Sequence, residues 1–476
     1  MLFNSFDFAF FLLVCLAVYY GLQLGAHCRA QNRVLLLASY VFYGAWDWRF
    51  LSLIAASTGV DYCVALALGR SDDPRRRRLL LGASLLTNLG ILGFFKYANF
   101  FAENLQVLGA SLGIELSRPL LEIVLPVGIS FYTFQTLSYT IDVYRRRLEP
   151  TRDFFDFALF VAFFPQLVAG PIERAARLLP QIASPRRVDW QGFNSGSWLI
   201  FWGLFKKVVI ADNLATLVDA VFNPASSPTS LELLLGIYAF AFQIYCDFSG
   251  YTDIARGVAR LMGFDLMLNF RLPYFATSPA DFWRRWHISL STWLRDYLYV
   301  SLGGNRRGNR LRNRNLMITM LLGGLWHGAA WPFVLWGAFH GLLLVLHRLL
   351  QPWLEQVRPA SVLGQGAWWV LRVLATFHLV CFGWLLFRSE SLAQLATHLA
   401  ILAGPVEAGF ALSWLLPLAA LMLPLLLVQI AQARSGNLEV PLGWSLPVRV
   451  ATYAALFFIF VTLGEDGGQP FVYFQF

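Results

Sequence analysis

The sequence predicts an all-α, polytopic integral membrane protein, and its composition carries that prediction. Of the 476 residues, 57% are hydrophobic and only 14% are charged, whereas soluble domains average about 25% charged residues. Apolar runs long enough to cross a bilayer recur from one end of the chain to the other. We therefore expect roughly a dozen transmembrane or re-entrant helices, and not a soluble protein with one membrane anchor.

The first of these runs, at about residues 6–24, is predicted to be a retained membrane span. The segment before it, Met1–Ser5, contains no basic residue. No Ala-x-Ala cleavage pattern follows the run. Both features disfavour a cleaved signal peptide.

Basic residues cluster in short gaps between the apolar runs, as the positive-inside bias of membrane proteins predicts. The clusters are Arg75–Arg78, Arg145–Arg147, Arg186 with Arg187, and Lys206 with Lys207. This distribution predicts that the N-terminus is outside and that the loop at residues 28–33 is cytoplasmic. The net charge of +9 is then a topology signal, and no nucleic-acid partner is predicted.

Later apolar runs predict further spans, which together form one membrane-embedded domain over residues 1–476. The runs lie near residues 154–170, 194–214, 230–246, 316–328, 333–350, 367–387, 408–430 and 447–463. We expect N-terminal helices in 1–150, a catalytic core in 151–350 and C-terminal helices in 351–476. No internal repeat is visible, which disfavours a transporter built from two matching halves. The five cysteines lack CxxC or metal-ligand spacing, so no metal site is predicted.

One histidine, His327, lies within an apolar run at residues 316–331. A polar ionisable group at bilayer depth is costly, and it therefore usually marks a functional site. Histidine is also the side chain best suited to move a proton near neutral pH. The alternative is a buried imidazole that is hydrogen-bonded to a neighbouring helix.

A second histidine, His287, lies in the polar stretch of residues 269–315, where tryptophans alternate with charges. Ser278-Pro279 favours a helix start, with serine as the cap and proline in the first turn. The segment from Asp281 to Tyr297 is too polar to span lipid, so we expect a helix at the membrane surface or dipping among other helices. The alternative is an amphipathic surface helix whose arginines meet lipid phosphates.

Five arginines follow within a glycine-rich segment: Arg306, Arg307, Arg310, Arg312 and Arg314. Arginine forks and free backbone amides favour phosphate, so Arg306, Arg307 and Arg310 are candidates to bind the phosphates of a ligand such as coenzyme A. No Walker or GxGxxG pattern is present, so no nucleotide-binding fold is predicted. The alternative is a cytoplasmic topology signal.

Other polar residues receive structural interpretations. Asp247, Ser249, Tyr251 and Asp253 are predicted to form a polar network, since Arg256 is close enough in sequence to pair with Asp253. His340 follows His327 at a spacing that puts the two on different helix faces. We therefore expect His340 to be a core or wall residue and not a partner base.

The motifs of this chain, taken in order, resemble those of the membrane-bound O-acyltransferases. The resemblance is to the bacterial branch typified by alginate O-acetyltransferase and, more distantly, by the teichoic acid D-alanyl transfer protein. The segments that carry it are Met1–Ser5, Leu125–Phe131, Phe164–Ile172, Asp247–Asp253, Trp286-His287, Leu325–Gly328 and Phe471–Phe476. They cover nearly the whole chain.

The resemblance implies a set of helices around a central funnel or tunnel. It assigns the essential intramembrane histidine to His327 and the second polar position to His287. It further implies a cytoplasmic acyl thioester donor, expected to be acetyl-CoA, with no tightly bound cofactor. His287 and Trp326 are candidates to stabilise the oxyanion, and Trp326 is also counted with the donor-binding residues.

The implied acceptor is an exopolysaccharide, reached from the far side of a bacterial inner membrane with a periplasmic acetyltransferase as partner protein. Membrane lipids are the remaining partner. Within enzymes, the alternative is D-alanyl transfer to teichoic acid or acylation of another envelope lipid or protein. A transporter or flippase and a non-catalytic scaffold are alternatives from other classes, although a scaffold would leave the buried His327 unexplained.

Overall fold

The computed structural model describes residues 1–24, 27–114, 123–168, 170–306, 308–465 and 471–472. All regular elements in these residues are helical, which confirms the all-α fold class. The chain divides into two compact units. The first consists of Met1–Phe193 and Val258–Met267, and the second of Asn194–Gly257 and Leu268–Phe476.

The first nine helices belong to the first unit. They are α1 (Phe6–Leu24), α2 (Cys28–Asp47), α3 (Leu51–Gly69), α4 (Pro74–Leu92), α5 (Ala98–Ser111), α6 (Ile129–Tyr144), α7 (Phe154–Ala162), α8 (Phe164–Leu167) and α9 (Ala175–Ala183). Helices α3, α4 and α6 meet at buried Asp61, which accepts hydrogen bonds from Ser84, from Asn88 at 2.8 Å and from Thr140 at 3.0 Å. Three donors thus satisfy a carboxyl group inside the helix cluster.

The structure differs from the predicted span at residues 154–170. Helix α7 has only nine residues, which corresponds to about 13 Å of rise and is too short to cross a bilayer. Phe163 has a non-helical backbone, with ψ of 108°, between α7 and α8, and Pro165 lies in the first turn of α8. An apolar run therefore produced two short buried helices instead of one span.

The remaining helices follow in the order α10 (Trp190–Leu204), α11 (Asp212–Phe222), α12 (Ser230–Leu261), α13 (Pro279–Arg285), α14 (Ile288–Trp293), α15 (Gly308–His327), α16 (Trp331–Gln356), α17 (Val362–Arg388), α18 (Leu392–Ala403), α19 (Ala411–Ser435) and α20 (Leu446–Leu463). Among the residues that the structure describes, eight helical segments are long and apolar enough to cross a membrane. The prediction of a multi-pass membrane protein is confirmed, whereas the central funnel and the number of spans stay predictions.

Helices α15 and α16 form an antiparallel hairpin whose backbones approach closely. A Cβ atom at Gly337 would collide with the carbonyl oxygen of Met320, and one at Gly324 would collide with that of Phe333. Small residues permit such close packing of membrane helices. At the far end of the hairpin, Arg348 donates a hydrogen bond to Asn309 at 2.9 Å. The hairpin fixes the position of His327 at the end of α15.

The segment expected to be one helix from Asp281 to Tyr297 is broken at His287, which has a left-handed backbone with φ of 42°. Helix α13 ends at Arg285, and α14 begins at Ile288 and continues in a π-helical turn to Tyr299. The predicted start is confirmed, because the Ser278 hydroxyl accepts a hydrogen bond from the Asp281 amide at 3.1 Å.

The break at His287 is held by an extended segment that precedes α13. The Arg271 amide donates to the Arg285 carbonyl at 2.9 Å, and the Ile288 amide donates to the Asn269 carbonyl at 2.9 Å. These two bonds satisfy backbone groups that a continuous helix would have used internally. We call this paired backbone, residues 269–271 with residues 285–288, the clip.

Candidate functional site

Three aromatic rings enclose His327, which is only 5% exposed. The ring centroids of Trp326 and Trp336 each lie 5.0 Å from the imidazole centroid, and that of Phe387 lies at 5.4 Å. All three rings meet the imidazole edge to face. His327 is therefore packed among aromatic rings at the end of α15.

The structure brings His287 to the same place. Its ring centroid lies 6.4 Å from that of His327 and 5.8 Å from that of Trp326. The ring of Phe248, from α12, covers His287 edge to face at 4.7 Å. We call His287, His327 and these enclosing rings the histidine site. The predicted convergence of the two imidazoles is therefore found in the structure, while their chemical roles stay predictions.

Burial lowers the pKa of His287 to about 3, so this imidazole is neutral at physiological pH. A neutral imidazole has one N–H donor and one acceptor nitrogen. It can thus orient a neighbouring group or donate to a developing negative charge. Among the described residues, no cluster of three metal-ligating side chains occurs.

A cavity of about 300 Å³ leads from His327 along one face of α15. The α15 residues that line it are Arg312, Leu316, Thr319, Met320, Gly323 and His327. They recur at helical spacing, so the cavity follows the helix for about 22 Å from its arginine end to its histidine end. Arg295 also lines the cavity. The space is thus mostly apolar, with guanidinium groups and an imidazole among its lining.

The arginines that the sequence predicted to bind phosphate differ from those that line this cavity. Arg306 and Arg310 are exposed and do not line this cavity, and Arg307 lies outside the described residues. Arg312 and Arg295 line it instead. Arg312 lies about four helical turns before His327, on the same face of α15. This spacing could have identified Arg312, in preference to Arg310, from the sequence. No sequence signal identified Arg295.

His340 is fully buried beside the histidine site but does not line the cavity. Its ring lies 4.8 Å from Trp336 and 5.2 Å from Trp283, centroid to centroid. Gly383, from α17, leaves room for the imidazole, since a Cβ there would lie 2.7 Å from its Nε2 atom. This placement agrees with the expectation of a core residue.

A second set of polar residues, most of them buried, occupies α11, α12 and the π-helical turn Phe205–Ala211. Lys207 lies 2.8 Å from carboxylate oxygens of both Asp212 and Asp247. Lys206 lies 2.7 Å from Asp253, which Arg256 also contacts at 3.2 Å. We call these three cations and three carboxylates the charge network. Its geometry agrees with the structural interpretation of Asp247 and Asp253.

The interpretation of Lys206 and Lys207 as a loop topology signal is wrong. Both side chains are at most 3% exposed and lie within a continuous helical segment. Asp253 neutralises Lys206, and Asp212 and Asp247 neutralise Lys207, so the pair can be buried. Charge spacing alone cannot distinguish such a pair from a cytoplasmic loop.

Comparison with known proteins gives consistent matches. Residues 80–386 match the membrane-bound O-acyltransferase (MBOAT) family. A probable alginate O-acetylase of Pseudomonas aeruginosa is 46% identical over 80% of this chain and 71% of its own. The peptidoglycan O-acetyltransferase of Helicobacter pylori is 36% identical over 82% of this chain and 78% of its own. The teichoic acid D-alanyltransferase of Bacillus subtilis is 29% identical over 56% of this chain and 69% of its own.

The matched residues contain the two histidines, the arginine-rich start of α15 and the α15–α16 hairpin. The match spans more than half of the chain, and two of the relatives exceed 30% identity over most of both sequences. The resemblance inferred from the motifs is thereby confirmed. This multi-pass membrane protein belongs to the membrane-bound O-acyltransferase family and is an O-acyltransferase.

Proposed function

We propose that this enzyme transfers an acetyl group from a cytoplasmic thioester for the O-acetylation of an exopolysaccharide. The observation that carries the proposal is the pair of buried imidazoles, 6.4 Å apart, beside a cavity lined by arginine. The relatives with the higher identities are named for O-acetyl transfer to polymers. The D-alanyl transferase relative is less identical and matches less of this chain.

In the proposed reaction, His327 is the general base. Its neutral imidazole takes the proton of the acceptor hydroxyl as the hydroxyl oxygen attacks the thioester carbonyl carbon. His287 or the Trp326 indole N–H donates to the oxyanion that develops. The carbon–sulfur bond then breaks, and the imidazolium returns its proton to the departing thiolate. The products are an O-acetyl ester and a free thiol.

The donor in this proposal is acetyl-CoA, whose flexible arm would extend along α15 with its thioester at His327. Arg312 and Arg295 line the cavity and are the proposed phosphate contacts, and Arg306 and Arg310 add positive charge at the same end of α15. Arg307 lies between Arg306 and Arg310 in the sequence. The positive-inside bias favours the cytoplasmic side for this end. No tightly bound cofactor is needed.

The side from which the acceptor enters follows from the cytoplasmic position proposed for the donor. The acceptor hydroxyl would reach His327 from the opposite face. It belongs either to the polymer itself or to a periplasmic acetyltransferase partner, which would then pass the acetyl group to the polymer. The corresponding location is the bacterial inner membrane. Alginate, cellulose and other exopolysaccharides all present the hydroxyl groups that the reaction requires.

The test is the acetate content of secreted polysaccharide in a deletion strain that carries His327→Ala. We expect acetate to fall to the level of the deletion strain, because loss of a general base costs on the order of a hundredfold to ten-thousandfold in rate. His398→Ala is the matched control, since His398 is also buried against an aromatic ring, that of Phe222. Normal acetate content with His327→Ala would overturn the assignment.

A second test addresses the donor site. Lysine keeps the charge of arginine but lacks its bidentate fork. We expect Arg312→Lys to raise the KM for acetyl-CoA about tenfold, whereas Arg310→Lys leaves it nearly unchanged. A larger effect of Arg310→Lys than of Arg312→Lys would move the phosphate site to the exposed arginines.

A further inference from the structure

A second cavity, of about 390 Å³, lies against the clip, since Arg271 and Arg285 line it. Its lining includes Arg271, Arg284 and Arg285, together with Asp281, Trp369 and Gln432. None of these residues lines the cavity that leads to His327. The acyl-transfer reaction described above makes no use of this arginine-rich space.

The cavity carries excess positive charge. Arg285 pairs with Asp281 at 3.0 Å. Arg271 and Arg284 are exposed, and in the described part of the chain neither forms an ion pair. Three guanidinium groups therefore face one carboxylate. An arrangement of this kind favours an anion with several acceptor oxygens, and arginine forks match phosphate best.

The cavity also lies at the depth where membrane spans end. Trp369 is in the second turn of α17, and Gln432 is in the last turn of α19. Both helices are candidate membrane spans. Trp369 is 47% exposed, and tryptophan is enriched at the level of lipid headgroups. The ligand therefore approaches from the membrane interface.

We propose that this cavity binds the phosphodiester headgroup of an anionic membrane lipid. Basic pockets between membrane helices bind such headgroups by charge and by hydrogen bonding. Arg271 and Arg284 contact the phosphate oxygens, while Trp369 packs beside the part of the lipid that is next to the headgroup.

The bound lipid also supports His287 through the clip. The Arg271 and Arg285 side chains meet at the cavity, and their backbones are joined by the hydrogen bond of 2.9 Å. Leu272, which directly follows the first segment of the clip, and His287, within the second, both have left-handed backbones, with φ of 51° and 42°. Non-glycine residues in this region are strained. A phosphate that bridges Arg271 and Arg284 ties the two segments of the clip together, because Arg284 directly precedes clip residue Arg285. The phosphate thereby holds the strained clip, and with it His287, in place.

The binding test uses the full-length protein purified in a neutral detergent. Phosphatidylglycerol is titrated against phosphatidylcholine, and lipid retention is measured by native mass spectrometry. We expect wild-type protein to retain phosphatidylglycerol at least tenfold more than phosphatidylcholine, and Arg271→Gln/Arg284→Gln to lose this preference. Arg358→Gln, at another exposed arginine before α17, is the matched control and keeps it.

Two further arms complete the test. Arg271→Lys/Arg284→Lys keeps the charge, so an intermediate preference is expected even if the glutamine variant folds poorly. Equal preference in the wild-type and glutamine proteins would overturn the site. Displacement of the lipid by low concentrations of inorganic phosphate would overturn the lipid as its occupant.

The consequence for His287 rests on the proposed function and is measured separately. Acetyl transfer in phosphatidylglycerol vesicles should exceed that in phosphatidylcholine vesicles for wild-type protein, and this difference should vanish in the glutamine variant. Lipid retention without any change in rate would leave the binding site intact and overturn its link to His287. Because retention needs no turnover, its result does not depend on the proposed reaction.

Discussion

The charge network and the histidine site are two buried polar regions whose polar groups have different neighbours. In the network, each carboxylate lies between 2.7 and 3.2 Å from a cation. At the histidine site, aromatic rings lie 4.7 to 5.8 Å from the imidazole centroids. The network pairs opposite charges, whereas the described neighbours of the two imidazoles are aromatic rings.

This difference separates structure from chemistry. A paired charge inside a protein is held because loss of either partner leaves a costly orphan. At the histidine site, the described rings around the two imidazoles are those of tryptophan and phenylalanine, and histidine is the side chain best suited to move a proton near neutral pH. The network thus ties helices together, and the histidine site is the better candidate for proton transfer.

The largest effect on stability is expected from breaking the network at Lys207. Lys207→Met leaves Asp212 and Asp247 without their shared ammonium group, which costs on the order of 3–5 kcal/mol of unfolding free energy. Thermal unfolding of the purified protein should show a strongly lowered midpoint. His398→Ala, which removes a buried imidazole and no charge, should lower it less. An unfolding midpoint equal to that of wild type would mean that the network does not hold the fold.

Glu173 sharpens the comparison, because it is a buried acid whose described hydrogen bond comes from a backbone amide, that of Met267. Burial raises the pKa of Glu173 from 4.5 to about 7. The folded state then keeps a proton that the unfolded state releases, so stability is lost as the pH rises from about 4.5 to about 7. Glu173→Gln should be more stable than wild type at pH 8 and equal at pH 4.5. An identical pH dependence of both unfolding midpoints would refute the protonated state.

A smaller effect is expected from the close approach that fixes His327. Gly337→Ala places a methyl group against the Met320 carbonyl, and such overpacking costs roughly 1–3 kcal/mol. The shift of α16 should also move Trp336 and lower the rate of acyl transfer. Gly366→Ala on α17, where a Cβ has open space, is the control. Unchanged rate and stability in Gly337→Ala would show that the hairpin tolerates looser packing.

Much of the fold and site could be predicted because periodicity and hydrophobicity act locally. The apolar runs predicted most of the long helices, and Ser278 and Pro279 predicted the start of α13. The position of His327 within its apolar run indicated the candidate site. The convergence of His287 with His327 followed from the family resemblance. These features depend on patterns within one segment or, for the two histidines, on motifs that the family resemblance places at one site.

The remaining features depend on contacts between distant segments. The left-handed backbone of His287 exists because residues 269–271 pair with residues 285–288. The burial of Lys206 and Lys207 requires Asp212, Asp247 and Asp253. The apolar run at residues 154–168 divides at Phe163. The local sequence does not identify these contacts. It therefore predicted a continuous helix through His287, a cytoplasmic loop at Lys206 and Lys207, and one membrane span at residues 154–170.

The most direct measurement of the central claim is the rate of thiol release from acetyl-CoA per folded molecule. His327→Ala removes the proposed base, and Arg256→Gln removes a cation of the network. We expect His327→Ala to lose at least about a hundredfold while Arg256→Gln keeps the wild-type rate per folded molecule. Equal losses in both variants, or a wild-type rate in His327→Ala, would contradict the division between a catalytic histidine site and a structural charge network.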